Sequence, residues 1–110
     1  MSQYIPENME EVAMQVAKRQ VHGEQVTADE VIKQATFDIL QALLDEALEG
    51  RYDEVHWSND GEKLVITGPM GDKIGEVEPN GKSFVEEFKA DSDALMDHFV
   101  RETARLVNGR

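Results

Sequence analysis

Cysteine is absent from this 110-residue chain. That removes disulfides, thiolate nucleophiles and cysteine-ligated zinc at once, and it fits a chain living in a reducing cytoplasm. Basic residues are scarce, with 11 Lys and Arg against 23 Asp and Glu for a net charge of −12. Direct binding of nucleic acid through phosphate neutralisation needs the opposite sign, and so does adhesion to an anionic membrane surface. No apolar run approaches the roughly 20 residues that a bilayer requires. The opening MSQYIPENMEE has neither a basic nor an apolar signal region, so secretion through a signal peptide is not expected. Repeats, linkers and low-complexity segments are missing too.

What is present is the composition of one globular domain, 40% apolar and 31% charged, of a length that buries a single core without staples. The acidic excess is uneven. Residues 24–50 hold seven carboxylates against Lys33 alone, half of the net charge of the chain. Such a field favours a partner with a basic surface, unless it serves only to keep the chain soluble.

Local signals divide the chain into elements. Asn8, with Glu11 three residues on, caps a first amphipathic helix that Gly23 ends. Its apolar side carries Met9, Val12, Val16 and Val21. Thr27 with Glu30 opens a second helix running to Gly50. At about 100° per residue its apolar positions form two stripes. Ile32, Ala35, Ile39, Ala42, Leu43 and Ala47 make one; Phe37, Leu40, Leu44 and Leu48 make the other. Between them runs a polar ridge of Glu30, Gln34, Asp38, Gln41 and Asp45. A helix so apolar is expected between two layers, as the spine of the fold.

The stretch EVHWSNDGEKLVIT is a hairpin signal. A two-residue type I′ turn at Asp60–Gly61 would pair Trp57 with Leu64 and Val55 with Ile66 on one face. Glu54, His56, Ser58, Lys63 and Thr67 would share the opposite face. KIGEVE predicts a third strand, closed by PNG. Residues 83–89 suit either a short helix capped by Ser83 or a fourth strand. A last helix, capped by Asp91 or Ser92, carries Leu95, Met96, Phe99, Val100, Leu106 and Val107 inward. Asp97, Arg101 and Arg105 form a ladder outside.

Chemical motifs are few. His22, His56 and His98 stand on different elements, and none has metal-ligand spacing. His22 suits a helix C-terminus, where a cation is favoured. His98, beside Asp97 and Glu102, is expected on a solvated helix face. Glu54, His56 and Ser58 share a strand face, but positions two apart stand roughly 7 Å apart and no nucleophile elbow surrounds the serine. GPMGDKIG lacks the ending of a phosphate-binding loop. DSDALMD places Leu95 where a calcium loop needs an oxygen.

The fold expected is α+β: two N-terminal helices, a three-stranded antiparallel meander, and one or two C-terminal helices on the Trp57 face of the sheet. In size and charge the chain resembles the small acidic inhibitors that mimic DNA or neutralise nucleases, phage-encoded host-takeover and anti-defence proteins among them. The charge, with no catalytic, metal or nucleotide motif beside it, leads to the expectation of a non-enzymatic binding protein with no cofactor and no metal. Its carboxylates would occupy the basic groove of a nuclease, polymerase or defence complex. Glu30, Asp38 and Asp45 are the leading contact residues, flanked by Asp29, Glu46 and Glu49. The alternatives are a homo-oligomeric structural or assembly protein, and a small enzyme. The first helix is short and its apolar side is built of small residues. Phe37, Leu40, Leu44 and Leu48 are therefore expected to stay partly uncovered and to form a homodimer interface.

Overall fold

The computed structural model describes residues 5–109. Helix α1 (Met9–Val21) and helix α2 (Ala28–Leu48) precede three strands, β1 (Glu54–Trp57), β2 (Leu64–Thr67) and β3 (Lys73–Val77). Helices α3 (Phe84–Ala90) and α4 (Ser92–Asn108) follow. The architecture is α+β, with the strands in sequential order β1-β2-β3 and both pairings antiparallel.

Each helix begins where a side chain can satisfy an orphan amide. Asn8 Oδ1 accepts from the Glu11 N–H at 3.0 Å, and Thr27 Oγ1 accepts from Glu30 at 3.2 Å. Ser83 Oγ accepts from Glu86 at 3.1 Å, which makes residues 84–90 a helix and not a fourth strand. Asp91 closes α3 with its backbone N–H and opens α4 by accepting from Asp93 and Ala94. One residue therefore serves two helices, and the chain turns sharply between them.

The hairpin register is the one that alternation demands: Val55 opposite Ile66 and Trp57 opposite Leu64. The turn differs from expectation. Ser58 and Lys63 still pair, through a 2.9 Å bond from the Ser58 N–H to the Lys63 carbonyl, so the loop is Asn59–Glu62. Within it Gly61 N–H returns to the Ser58 carbonyl at 2.8 Å, and of the two turn residues only Gly61 has positive φ, +73°. Asp60 Oδ1 instead accepts from the Glu62 N–H. A four-residue loop has the same parity as a two-residue one, so the faces survive the change of turn.

The inner face of the sheet presents Val55, Trp57, Leu64, Ile66 and Val77 to the helices, and all but the half-buried Trp57 are buried. Trp57 stands 6.4 Å from Phe37 and 6.1 Å from Phe84 between ring centroids, and Phe84 meets Phe99 at 5.2 Å. This aromatic row joins α2, the sheet, α3 and α4 in one core. Tilted ring pairs at these separations add about 0.5–1.5 kcal/mol each beyond area burial. Gly75 in β3 lets α4 lie close: a Cβ there would stand 2.2 Å from Leu106 Cδ2.

The stripes of α2 play the opposite parts to those expected. Leu40 and Leu44 are fully buried and Leu48 nearly so, beneath the sheet and the C-terminal helices, while Phe37 packs against Trp57. The proposed oligomer interface of Phe37, Leu40, Leu44 and Leu48 is therefore core of the single chain. The other stripe is covered only in its first half. Val31, Ile32, Ala35 and Ile39 are buried, but Ala42 is exposed and Leu43 and Ala47 are half-exposed. The reason is length: α1 has 13 residues against 21 in α2 and packs along its N-terminal half.

Two smaller expectations also change. His98 is buried, not on a solvated face, and its Nε2 lies 2.7 Å from the Glu78 carbonyl, tying α4 to the end of β3. Val100, expected inward, is 47% exposed, and Val21 of α1 is 83% exposed.

Candidate binding surface

The six carboxylates singled out from the sequence do not form one uniform track. Asp29, at the start of α2, is bound to Lys89 of α3 at 2.6 Å. It anchors the helix pair and is engaged within the chain. Glu30 and Asp38 line one wall of an open cleft of about 680 Å³ between α1 and α2. The facing wall carries Lys18, Arg19 and His22. No ion pair crosses that cleft among the described residues, but Lys18 and Arg19 weaken the negative field there. Asp38 also accepts from the Gln34 amide at 2.9 Å, one helical turn back.

The C-terminal end of α2 is different. Asp45, Glu46 and Glu49 are exposed there, and Asp53 and Glu54 follow within five residues. The last turn contains no basic residue. Arg51 is the nearest cation along the chain, and its Nε donates to the Leu48 carbonyl at 2.9 Å, capping the helix. Asp45 accepts from the Tyr52 hydroxyl. Burial, that hydrogen bond and the nearby carboxylate charge together push the Tyr52 hydroxyl above the ordinary tyrosine range. Glu46 and Glu49 make no ion pair among the described residues.

Glu49 has a further peculiarity. It ends α2 in the left-handed conformation at φ 50°, and it is the one described residue other than glycine with positive φ. The neighbouring Gly50 also has positive φ. A side chain in this region costs on the order of 1 kcal/mol or more. Carboxylates at a helix C-terminus oppose the macrodipole at about 0.3–1 kcal/mol each. These charges stand where local physics disfavours them.

Lys33, the lone basic residue of the acidic segment, is spent internally: its Nζ lies 4.7 Å from the Trp57 ring centroid, at the far end of the helix from Glu46.

The outer face of the sheet is a charged lattice. Lys63 bridges Glu78 at 3.2 Å and Glu76 at 3.9 Å, and Lys73 reaches Glu76 at 3.1 Å. His56 Nδ1 lies 3.5 Å from Glu54 Oε1, both exposed. Ser58 Oγ is engaged in the turn, donating to Asp60 and accepting from the Lys63 N–H. The strand thus brings Glu54 and His56 together but commits the serine to the turn. Among the described residues no group of three His, Asp or Glu side chains is placed to hold a metal ion, and no helix is long and apolar enough to cross a membrane.

One surface was not legible in the sequence. Where α1 stops covering α2, a shallow apolar groove opens between α2 and α4. One part, about 190 Å³, lies among Ile5, Ile39, Leu43 and Met96; the other, about 440 Å³, among Leu43, Ala47, Val100 and Ala104. The order of these contacts means that α2 and α4 run side by side in the same sense. The signal available from sequence was the presence of two apolar stripes on α2, but the uncovered one is that of Ile39, Leu43 and Ala47 and not that of Phe37, Leu40, Leu44 and Leu48. Comparison of the chain with protein-family models, with curated proteins and with solved structures finds no match.

Proposed function

We propose that this protein is an acidic, non-enzymatic binding module that engages a basic surface on another protein, of the kind that holds nucleic-acid phosphates. The observation that carries the reading is the carboxylate cluster at the C-terminal end of α2, where Asp45, Glu46 and Glu49 stand with no basic residue in the last turn. A cluster kept only for solubility gains nothing from sitting against the helix dipole and on a left-handed residue. A cluster that receives arginine and lysine side chains gains from both, because its charges are concentrated on a rigid element. The contact set is accordingly shifted from the sequence expectation: Asp45, Glu46 and Glu49 lead, while Asp29 is tied to Lys89 and Glu30 and Asp38 face cations of α1.

The mechanism is competition. Carboxylates replace phosphates on the basic surface, and association is steered by a field of −12 charges. The test uses a fluorescent Arg/Lys-rich peptide and a DNA duplex as probes in the same anisotropy assay. The peptide should bind and the duplex should not, with peptide affinity falling steeply as salt rises. The doubly neutral Glu46→Gln/Glu49→Gln variant should lose about tenfold, or about 1.4 kcal/mol. Glu62→Gln/Asp72→Asn removes the same charge from the hairpin loops and should lose less than about twofold, since distant exposed charges are screened. Equal losses in the two variants would refute a localised site.

A further inference from the structure

We infer that the apolar groove between α2 and α4 seats an amphipathic, cationic helix of the partner. The inference rests on the acidic-module reading above and names where the partner's apolar face goes. Helical apolar faces are normally covered, yet here Val100 is 47% exposed and Ala42 and Ala104 are exposed beside it. Alanines at the lips let another backbone approach closely. Two helices running side by side leave a furrow into which a third packs its apolar residues.

Charge decides the occupant. Every charged residue lining the groove is a carboxylate, Glu7 at the Ile39–Met96 end and Glu46 at the Ala47–Ala104 end. A second copy of this chain would bring another −12 charges to those lips. A basic helix would instead complete them. From Ile39 to Ala47 the groove extends roughly 12 Å, a little over two helical turns. The occupant is thus a helix with apolar residues at i, i+3 or i+4, and i+7, and with lysines or arginines about seven residues apart at its flanks.

The experiment uses two synthetic 18-residue peptides of identical Leu and Lys content, one with the leucines in a helical stripe and one scrambled. Wild type should bind the striped peptide at least tenfold more tightly than the scrambled one. Val100→Glu and Ala104→Glu, at exposed positions that leave the core untouched, should each weaken it about tenfold or more. Met70→Glu adds the same charge on the loop between β2 and β3, where Met70 is 91% exposed, and should not weaken it. The sign is diagnostic, because an added carboxylate strengthens cationic-peptide binding if attraction alone is at work. If Val100→Glu binds as tightly as wild type while Glu46→Gln/Glu49→Gln still binds weakly, the groove is not the seat and the acidic-module reading stands. If striped and scrambled peptides bind equally and no variant matters, both fail. A wild-type dimer at tens of micromolar that Val100→Glu dissociates would identify a second copy as the occupant and overturn the inference.

Discussion

Replacing Gly75 by alanine isolates the packing of sheet against helix better than any deletion. The added methyl would sit 2.2 Å from Leu106 Cδ2 and 3.4 Å from both Cδ1 and Cγ. Gly75 does not have positive φ, so the cost is steric and not conformational. Forcing one methyl into a filled site costs about 1–3 kcal/mol. For a domain of this size that lowers Tm by about 4 °C per kcal/mol, or about 4–12 °C in all. Leu106 is 9% exposed in the last turns of α4, so its truncation to alanine alone should fall at the low end of the usual 2–5 kcal/mol. The two changes should not add. In the Leu106→Ala background the new methyl meets a void, and its own cost should drop to near zero. A double-mutant cycle by urea denaturation therefore expects a coupling of about 1–3 kcal/mol. If Gly75→Ala costs the same with and without Leu106, the close approach of α4 to β3 is not what glycine serves.

Gly61→Ala should destabilise by about 1 kcal/mol, because it puts a Cβ on a residue at φ +73° and 3.2 Å from Lys33 Nζ; Gly61→Asn should recover part of this in thermal melts. Leu44→Glu should abolish cooperative unfolding instead of changing the mass in solution, since Leu44 is fully buried; a folded variant of altered mass by light scattering would restore the interface reading. Tyr52 supplies a pH signature. Its hydroxyl stays protonated to higher pH in the folded chain than in the unfolded one, so the stability it contributes is fully present below about pH 10 and is lost as pH rises beyond it. Urea midpoints of wild type should fall more steeply than those of Tyr52→Phe between about pH 9.5 and 11.5, and parallel curves would show that the Asp45 contact does not hold the proton.

The features legible in the sequence were those decided within a few residues. Asn8, Thr27, Ser83 and Asp91 cap helices because an N-cap needs only its own amide neighbours. The hairpin register followed from alternation alone, which is why it survived a wrong turn type. What failed depended on distant parts. The two stripes of α2 are similarly apolar, and nothing within the helix tells which one the sheet takes. That choice belongs to Trp57, Phe84 and Phe99, which close over Phe37, Leu40 and Leu44 and leave the Leu43 side to a helix too short to cover it. His98 was misplaced for the same reason, since its partner is a carbonyl twenty residues earlier. For the candidate site, the count of carboxylates was readable but their neighbours were not. Lys89 and the cations of α1 reach α2 only through the fold.

The sequential strand order has a consequence for how this protein can be recognised at all. With β1-β2-β3 in line, both outer strands are edges, and open edges are where extended peptides add by main-chain hydrogen bonding. Here β1 has only four residues, with Glu54 and His56 projecting outward, and the β2–β3 ladder is broken by an irregularity at Ile66/Thr67. Short, charged and kinked edges are poor templates for strand addition, whether by a partner's extended segment or by another copy during aggregation. On the binding reading proposed above, association would be directed away from β-augmentation and onto the helical side of the molecule, where side-chain chemistry rather than backbone pairing sets the selectivity.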